Sequence, residues 1–308
     1  MKKILNILLS VVLLGSILAI PVSAAEKILI TGTETTGWLL QNGNTALGSD
    51  YLPTIASESN SNFLGSVSHV TALMTNSGSS NSLIEYHAMP SISDNQGYTC
   101  VEFLLKIESK NSSGADIAIP YSTANWFTFS LKNNTNSNGS KSWSYNLGTN
   151  LKTGWQRVVI PFTQFTNVPG ALTASNTSTI KGMQIQLGRT IGNATTNFWL
   201  KDVKLTSSSA SSVTTTQLVA PNFQIGDEIE ASYITETTAN ISFPKVNSAV
   251  GYKIYLNDEL ISPVLTADGN NITTTLSGLS AGTNYNISIT PYDADGFLAT
   301  TPLTKDFV

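Results

Sequence analysis

Trp126, Glu102, Arg157, Gln184 and Gln186 are the side chains of this chain best suited to chemistry, because each stands on the polar side of an alternating segment. In Trp126-Phe127-Thr128-Phe129-Ser130-Leu131, the residues Phe127, Phe129 and Leu131 share the apolar side, leaving Trp126, Thr128 and Ser130 opposite. Val101, Phe103, Leu105 and Ile107 likewise oppose Glu102 and Lys106; Met183, Ile185 and Leu187 oppose Gln184 and Gln186; Val158 and Ile160 oppose Arg157. If these segments share one sheet, its outer face gathers an indole, two amides, a carboxylate and a guanidinium. A flat aromatic surface takes the C–H face of a pyranose, and planar polar groups make paired hydrogen bonds to vicinal hydroxyls. The chemistry such a face offers is non-covalent recognition of a sugar. Tyr121, Trp143 and Tyr145 lie on neighbouring segments and are candidates to extend it. Trp143 and Tyr145 share a side with Leu147, which is equally compatible with the core.

Catalytic constellations are missing from the sequence. The two histidines, His69 and His87, stand near neither a Gly-x-Ser-x-Gly elbow nor a His-Glu-x-x-His helix, so triad hydrolysis and zinc chemistry lack their parts. Each reads as a surface or satisfied strand residue. A retaining glycosidase needs two carboxyl groups about 5 Å apart. Glu85 and Glu102, the residues to consider, fall on separate strands, and enzymatic activity is not expected. Cys100, the one cysteine, cannot form an internal disulfide and reads as a buried, inert thiol.

The elements that must position these residues are strands. Alternating runs are broken by Gly, Asn, Ser and Pro clusters, and no stretch holds a helical period for three turns. Lys2 and Lys3 followed by an apolar run, Pro21 and Val22-Ser23-Ala24 predict a signal peptide over residues 1–24, hence a secreted protein with no membrane attachment after cleavage. Charged residues make up 12% of the chain and its formal net charge is −4, which provides no basic patch for nucleic acid. Ser, Thr and Asn carry the solvation instead, a surface suited to neutral ligands. The run Ser207-Ser208-Ser209-Ala210-Ser211-Ser212-Val213-Thr214-Thr215-Thr216 predicts a flexible linker over 207–217. It divides an all-β unit at 25–206 from a second unit at 218–308, whose strands at 239–243, 250–256, 273–276 and 285–290 are separated by turn signals.

The segment Gly154-Trp155-Gln156-Arg157-Val158-Val159-Ile160-Pro161-Phe162, with Phe198-Trp199-Leu200-Lys201-Asp202-Val203-Lys204-Leu205 downstream, resembles the jelly-roll carbohydrate-binding modules of bacterial polysaccharide-degrading systems. In those modules a Gly-Trp-x-x-x-x-Ile-Pro-Phe strand precedes a closing x-Ile-Asp-Asp-Ile-x-Leu strand. The resemblance covers roughly residues 26–206. It implies a galactose-binding-like jelly-roll sandwich in which Trp155 and Trp199 are core residues. It also implies a structural Ca²⁺, for which Glu34 and Asp202 are the matching ligands, although Lys201 stands where the family has an acid. Sugar binding itself requires no cofactor. Gly251-Tyr252-Lys253-Ile254-Tyr255, then Leu279-Ser280-Ala281-Gly282-Thr283-Asn284-Tyr285, then Pro291-Tyr292-Asp293-Ala294-Asp295-Gly296 resemble a fibronectin type III domain, an immunoglobulin-like sandwich. In that family the tyrosine matching Tyr285 makes a corner hydrogen bond, Phe243 occupies the place of a core tryptophan, and the domain is most often a spacer. The expectation is a secreted, monomeric, non-catalytic protein that attaches to a neutral polysaccharide, a β-glucan or another plant-type glycan. The alternatives are an extracellular adhesion or matrix protein contacting a protein or cell-envelope partner, and a divergent glycoside hydrolase.

Overall fold

The structure is a computed structural model that describes residues 26–34, 36–42, 53–59, 62–74, 82–118, 121, 127–133, 142–166, 170–188 and 194–308. Residues 1–24, where a signal peptide is expected, and Trp126 lie outside the described residues. Among the described residues no helix is long and apolar enough to cross a membrane.

The protein is all-β and antiparallel, as the alternation predicts. The first unit contains β1 (Glu26–Ile30), β2 (Trp38–Asn42), β3 (Thr54–Ser59), β4 (Ser66–Met74), β5 (Ser82–Tyr86), β6 (Cys100–Lys110), β7 (Asp116–Ile117), β8 (Phe127–Lys132), β9 (Ser142–Asn146), β10 (Gln156–Pro161), β11 (Gly182–Leu187), β12 (Ala194–Thr206) and β13 (Thr214–Gln217). These form two sheets. Sheet A runs β13-β10-β6-β12-β4-β3, with β1 added on β12 and β7 on β6; sheet B runs β2-β5-β11-β8-β9. The inward sets assigned from alternation meet between them. Val101, Phe103, Leu105 and Ile107 from sheet A and Phe127, Phe129, Leu131, Met183, Ile185 and Leu187 from sheet B form one buried cluster. Phe103 stacks on Phe129 across the gap at 4.7 Å between ring centroids. Each fully buried aromatic or branched side chain contributes about 1.5–3 kcal/mol relative to exposure, so this layer carries the sandwich.

The expected flexible linker is a structural element instead. Thr214–Gln217 pairs with the free edge of β10, the Thr99 hydroxyl and Ser208 backbone exchange hydrogen bonds at 2.8 Å, and the Lys152 ammonium donates to the Thr215 carbonyl. Polar β-branched residues with no apolar pattern read as linker, but an open strand edge satisfies their backbone groups.

The second unit is a sandwich of two four-stranded sheets. β14 (Glu230–Ser232), β15 (Thr238–Pro244), β19 (Asn271–Ser277) and β18 (Thr266–Asp268) form one; β17 (Glu259–Ile261), β16 (Gly251–Leu256), β20 (Tyr285–Tyr292) and β21 (Leu303–Phe307) form the other. Phe243 is buried in its core, and the Tyr285 hydroxyl accepts the Ser280 N–H at 2.8 Å, the corner bond its position implied.

Candidate functional site

Sheet membership divides the expected sugar face in two. Glu102 on β6 and Arg157 on β10 belong to sheet A, whereas Gln184 and Gln186 on β11 belong to sheet B, on the far side of the sandwich. The expectation of a single shared face therefore fails. Alternation had assigned inward and outward correctly, but outward means opposite directions for the two sheets.

The outer face of sheet A is closed by the second unit. Arg157 Nη1 donates to Glu102 Oε1 and Nη2 to Asp295 Oδ2, with Lys204 Nζ 3.7 Å from Glu102. Burial works against the guanidinium charge, but Asp295 and Glu102 more than offset it and hold the Arg157 pKa above its usual range. Burial pushes the nearby Asp293 carboxyl up. Beside this triad, Phe63, Val67, Leu104, Trp155, Trp199 and Phe297 form a buried cluster separate from the main core. Phe63 meets the edge of Trp155 at 4.6 Å and Phe297 at 5.0 Å. Leu64 N–H donates to the Gly296 carbonyl and Leu298 N–H to the Asn62 carbonyl, both at 2.8 Å. Trp155 and Trp199 are thus buried as expected, but in the joint and on the outer side of sheet A instead of in the sandwich core. Further along that face His69 stacks on Trp199 at 4.5 Å, with Lys106 Nζ 4.5 Å above the indole. Glu58 and Asn197 bracket the imidazole, so His69 is a satisfied strand residue.

The aromatic extensions also prove structural. Tyr121 is buried and donates its hydroxyl hydrogen to Thr196 Oγ1 at 2.8 Å; burial pushes its phenol well above the usual range. Trp143 is buried opposite Leu131 and donates to the Gly170 carbonyl at 2.7 Å. Tyr145, opposite Phe129, packs against the same core. Trp143 and Tyr145 lie on the core side of β9, the alternative the sequence left open for them.

The calcium ligands implied by the resemblance do not fit a metal. The Glu34 carboxylate closes its own turn: Oε1 accepts the Thr31 N–H at 2.8 Å and Thr31 hydroxyl at 2.9 Å, and Oε2 the Gly32 N–H at 2.8 Å. Burial opposes the charge, but these donors win and hold the carboxyl below its usual pKa. Asp202 occupies a register shift between Lys201 and Lys204, with φ of 51°, and accepts the Lys201 ammonium at 2.8 Å. A bulge residue with a short polar side chain suits that left-handed conformation. Among the described residues no three His, Cys, Asp or Glu side chains converge as a metal cluster.

Sheet B's outer face holds the remaining polar constellation. Cross-strand register aligns Leu39, Glu85, Gln184, Ser130 and Ser144 in one row, and Gln186, Thr128 and Asn146 in the next. The Glu85 side chain is 0% exposed and accepts three hydrogen bonds. Lys132 Nζ donates to Oε1 at 2.8 Å and Gln184 Nε2 to the same oxygen at 2.6 Å; His87 Nε2 donates to Oε2 at 2.8 Å. Lys132 itself is 2% exposed. Its cross-strand neighbour is Gly182, where a Cβ would come within 2.8 Å of the Tyr86 carbonyl oxygen. A buried ion pair costs desolvation and persists where its geometry and extra hydrogen bonds compensate. From the sequence, Glu85 is considered only as one of a catalytic carboxyl pair and His87 only as a surface or satisfied strand residue, and Lys132 is not singled out. The signal was present, since Glu85 and His87 alternate with the apolar Ile84 and Tyr86, and Lys132 continues the polar series Thr128, Ser130. Glu85 and Glu102 stand in different sheets, so they are not a facing carboxylate pair.

A scan against protein-family models finds no match, and no curated protein matches. Among solved structures, the chain is similar to a β-1,2-glucanase from Parabacteroides distasonis, with 16% identity and a TM-score of 0.42 over 92% of this chain and 38% of that one. It is also similar to a polysaccharide lyase (8% identity, TM-score 0.21, 82% and 35% of the two chains) and to a putative β-galactosidase from Bacteroides fragilis (12%, 0.19, 92% and 41%). The chain spans less than half the length of each. At these values the likeness carries no argument about function.

Proposed function

We propose that this protein is a secreted, non-catalytic, monomeric carbohydrate-binding protein, and that its ligand face is the outer surface of sheet B. The observation that carries the reading is the Glu85 network: a buried carboxylate spends itself entirely on fixing Lys132, His87 and Gln184 in place. Preorganised polar groups on a sheet, flanked by Gln186, Thr128 and the half-exposed Leu39, lower the ordering cost of binding a hydroxyl-rich ligand. The jelly-roll module resemblance of residues 26–206 supports the same reading. The strand order of the second unit, β14-β15-β19-β18 against β17-β16-β20-β21, supports the fibronectin type III resemblance, and its place against sheet A suits a spacer. The ligand class is a neutral polysaccharide, a β-glucan or another plant-type glycan.

Affinity electrophoresis through gels holding β-glucan, xylan, mannan or starch tests this. The wild type is expected to be retarded by at least one, and the double variant Gln184→Ala/Gln186→Ala to run freely. Free migration of the wild type in every gel would overturn the proposal.

A further inference from the structure

The Glu85 carboxylate does more than fill a gap, because it dictates which atoms its neighbours present. A carboxylate paired to an ammonium offers only acceptor sites. An amide that places a group 2.6 Å from it must turn its nitrogen inward, so Gln184 Oε1 is left as the outward atom. An imidazole nitrogen 2.8 Å away must likewise donate, which fixes Nε2–H toward Glu85 and leaves Nδ1 as the other ring position. Neither Gln184 Oε1 nor His87 Nδ1 has a hydrogen-bond partner among the described residues. Both side chains are half-buried, and His87 keeps 20% of its surface exposed. One carboxylate thus orients two acceptors, one on β11 and one at the residue that follows its paired strand β5.

We infer, resting on the sugar-binding reading of this face, that Glu85 is a positioning residue that sets Gln184 and His87 as paired acceptors for adjacent hydroxyl groups of a neutral sugar. The ligand's hydroxyls act as donors here. That selects a free diol and rejects ligands that bring acceptors alone: a sulfate ester or a uronate carboxylate would face two lone pairs. The Lys132 charge gives such an anion no net attraction, because Glu85 cancels it at 2.8 Å. The ligand class narrows from any glycan to an unsubstituted neutral one.

The test uses whichever of β-glucan, xylan, mannan or starch retards the wild-type protein most, its O-methylated derivative, and a sulfated and a uronic-acid glycan as probes. Gln184→Ala and His87→Ala are each expected to weaken binding by roughly five- to tenfold, the worth of one hydrogen bond. His87→Gln, whose amide can donate to Glu85 and still offer an oxygen, is expected to keep most of the affinity, a rescue that a merely structural role for the imidazole would not produce. The O-methylated and anionic glycans are expected not to bind. Far-ultraviolet circular dichroism and the unfolding midpoint establish that each variant is folded. Wild-type binding that survives His87→Ala and Gln184→Ala, that accepts the O-methylated glycan, or that prefers an anionic one overturns this inference and leaves the sugar-binding reading standing. Failure of the wild type to bind any of the four glycans overturns both.

Discussion

On the outer face of sheet A the Glu102 carboxylate meets Arg157; on the outer face of sheet B the Glu85 carboxylate meets Lys132. Both are outward-facing charge pairs on the same sandwich, and their surroundings separate them. Arg157 has a second carboxylate partner, Asp295, from the other unit, with an aromatic cluster alongside, so the pair is part of an internal joint. Glu85 draws its further donors from its own unit, Gln184 on β11 and His87 just after β5. A polar outer face is therefore not a ligand face by composition alone; what decides against sheet A is that the second unit closes over its charge pair.

The largest expected effect falls on sheet B. Lys132→Met leaves the Glu85 carboxylate buried without its cation, and is expected to lower the free energy of unfolding in urea by about 3–5 kcal/mol. Adding Glu85→Gln should restore more than half of that loss. A single variant as stable as the wild type would show that the two groups are not paired in solution.

Arg157→Ala, on sheet A, removes hydrogen bonds to two carboxylates, each typically about 1.5–3 kcal/mol and partly replaced by water here. The expected loss is about 2 kcal/mol, appearing in calorimetry as a separate, earlier transition of the second unit. Retardation by glycan should be unchanged. If the variant instead loses glycan binding, the two faces have been assigned the wrong way round.

A third site sets a baseline away from both. The Ser178 N–H, then its hydroxyl, hold the Asp94 carboxyl below the usual range, with Thr177 and Lys181 helping against a smaller opposing effect of desolvation. Because the folded pKa is depressed, the unfolded chain takes up the proton first as pH falls. The stabilisation is thus complete above the ordinary aspartate value of about 3.9 and is lost as pH drops through the folded value. Asp94→Asn is expected to flatten the unfolding midpoint against pH between about 5 and 2, with little change at neutral pH in glycan binding. An unchanged acid limb would show that these hydrogen bonds do not persist in solution. The smallest stability effect is expected for Gln186→Ala, within about 0.5 kcal/mol of the wild type, while glycan retardation falls. A stable variant with full retardation would remove Gln186 from the face.

Much of this architecture was legible in the chain. The period of two placed Val101, Phe103, Phe127, Phe129, Met183 and Ile185 in the core, and the aromatic-rich strands around Tyr252 and Tyr285 fell where their turn signals put them. Which strands share a sheet was not legible, because pairing joins β6 to β10 and β12, and β8 to β11, over long sequence separations that alternation does not encode. That is why Glu102 and Arg157 were grouped with Gln184 and Gln186. Tyr121 and Trp143 show the converse limit: an amphipathic ring fits a core as well as a platform, and only the partner of its polar atom distinguishes them. Thr214–Gln217 could not be read as a strand because its pairing depends on the free edge of β10, not on any pattern of its own.

The most direct test of the account is to map the contact by nuclear magnetic resonance, titrating the mature, isotope-labelled protein with a neutral oligosaccharide cut from the polysaccharide that retards it. The account predicts that the perturbed side-chain signals are those of Gln184, Gln186 and His87 on sheet B, with Arg157 and the joint unmoved. Perturbations centred on Arg157, Glu102 and Asp295 with sheet B silent would contradict it.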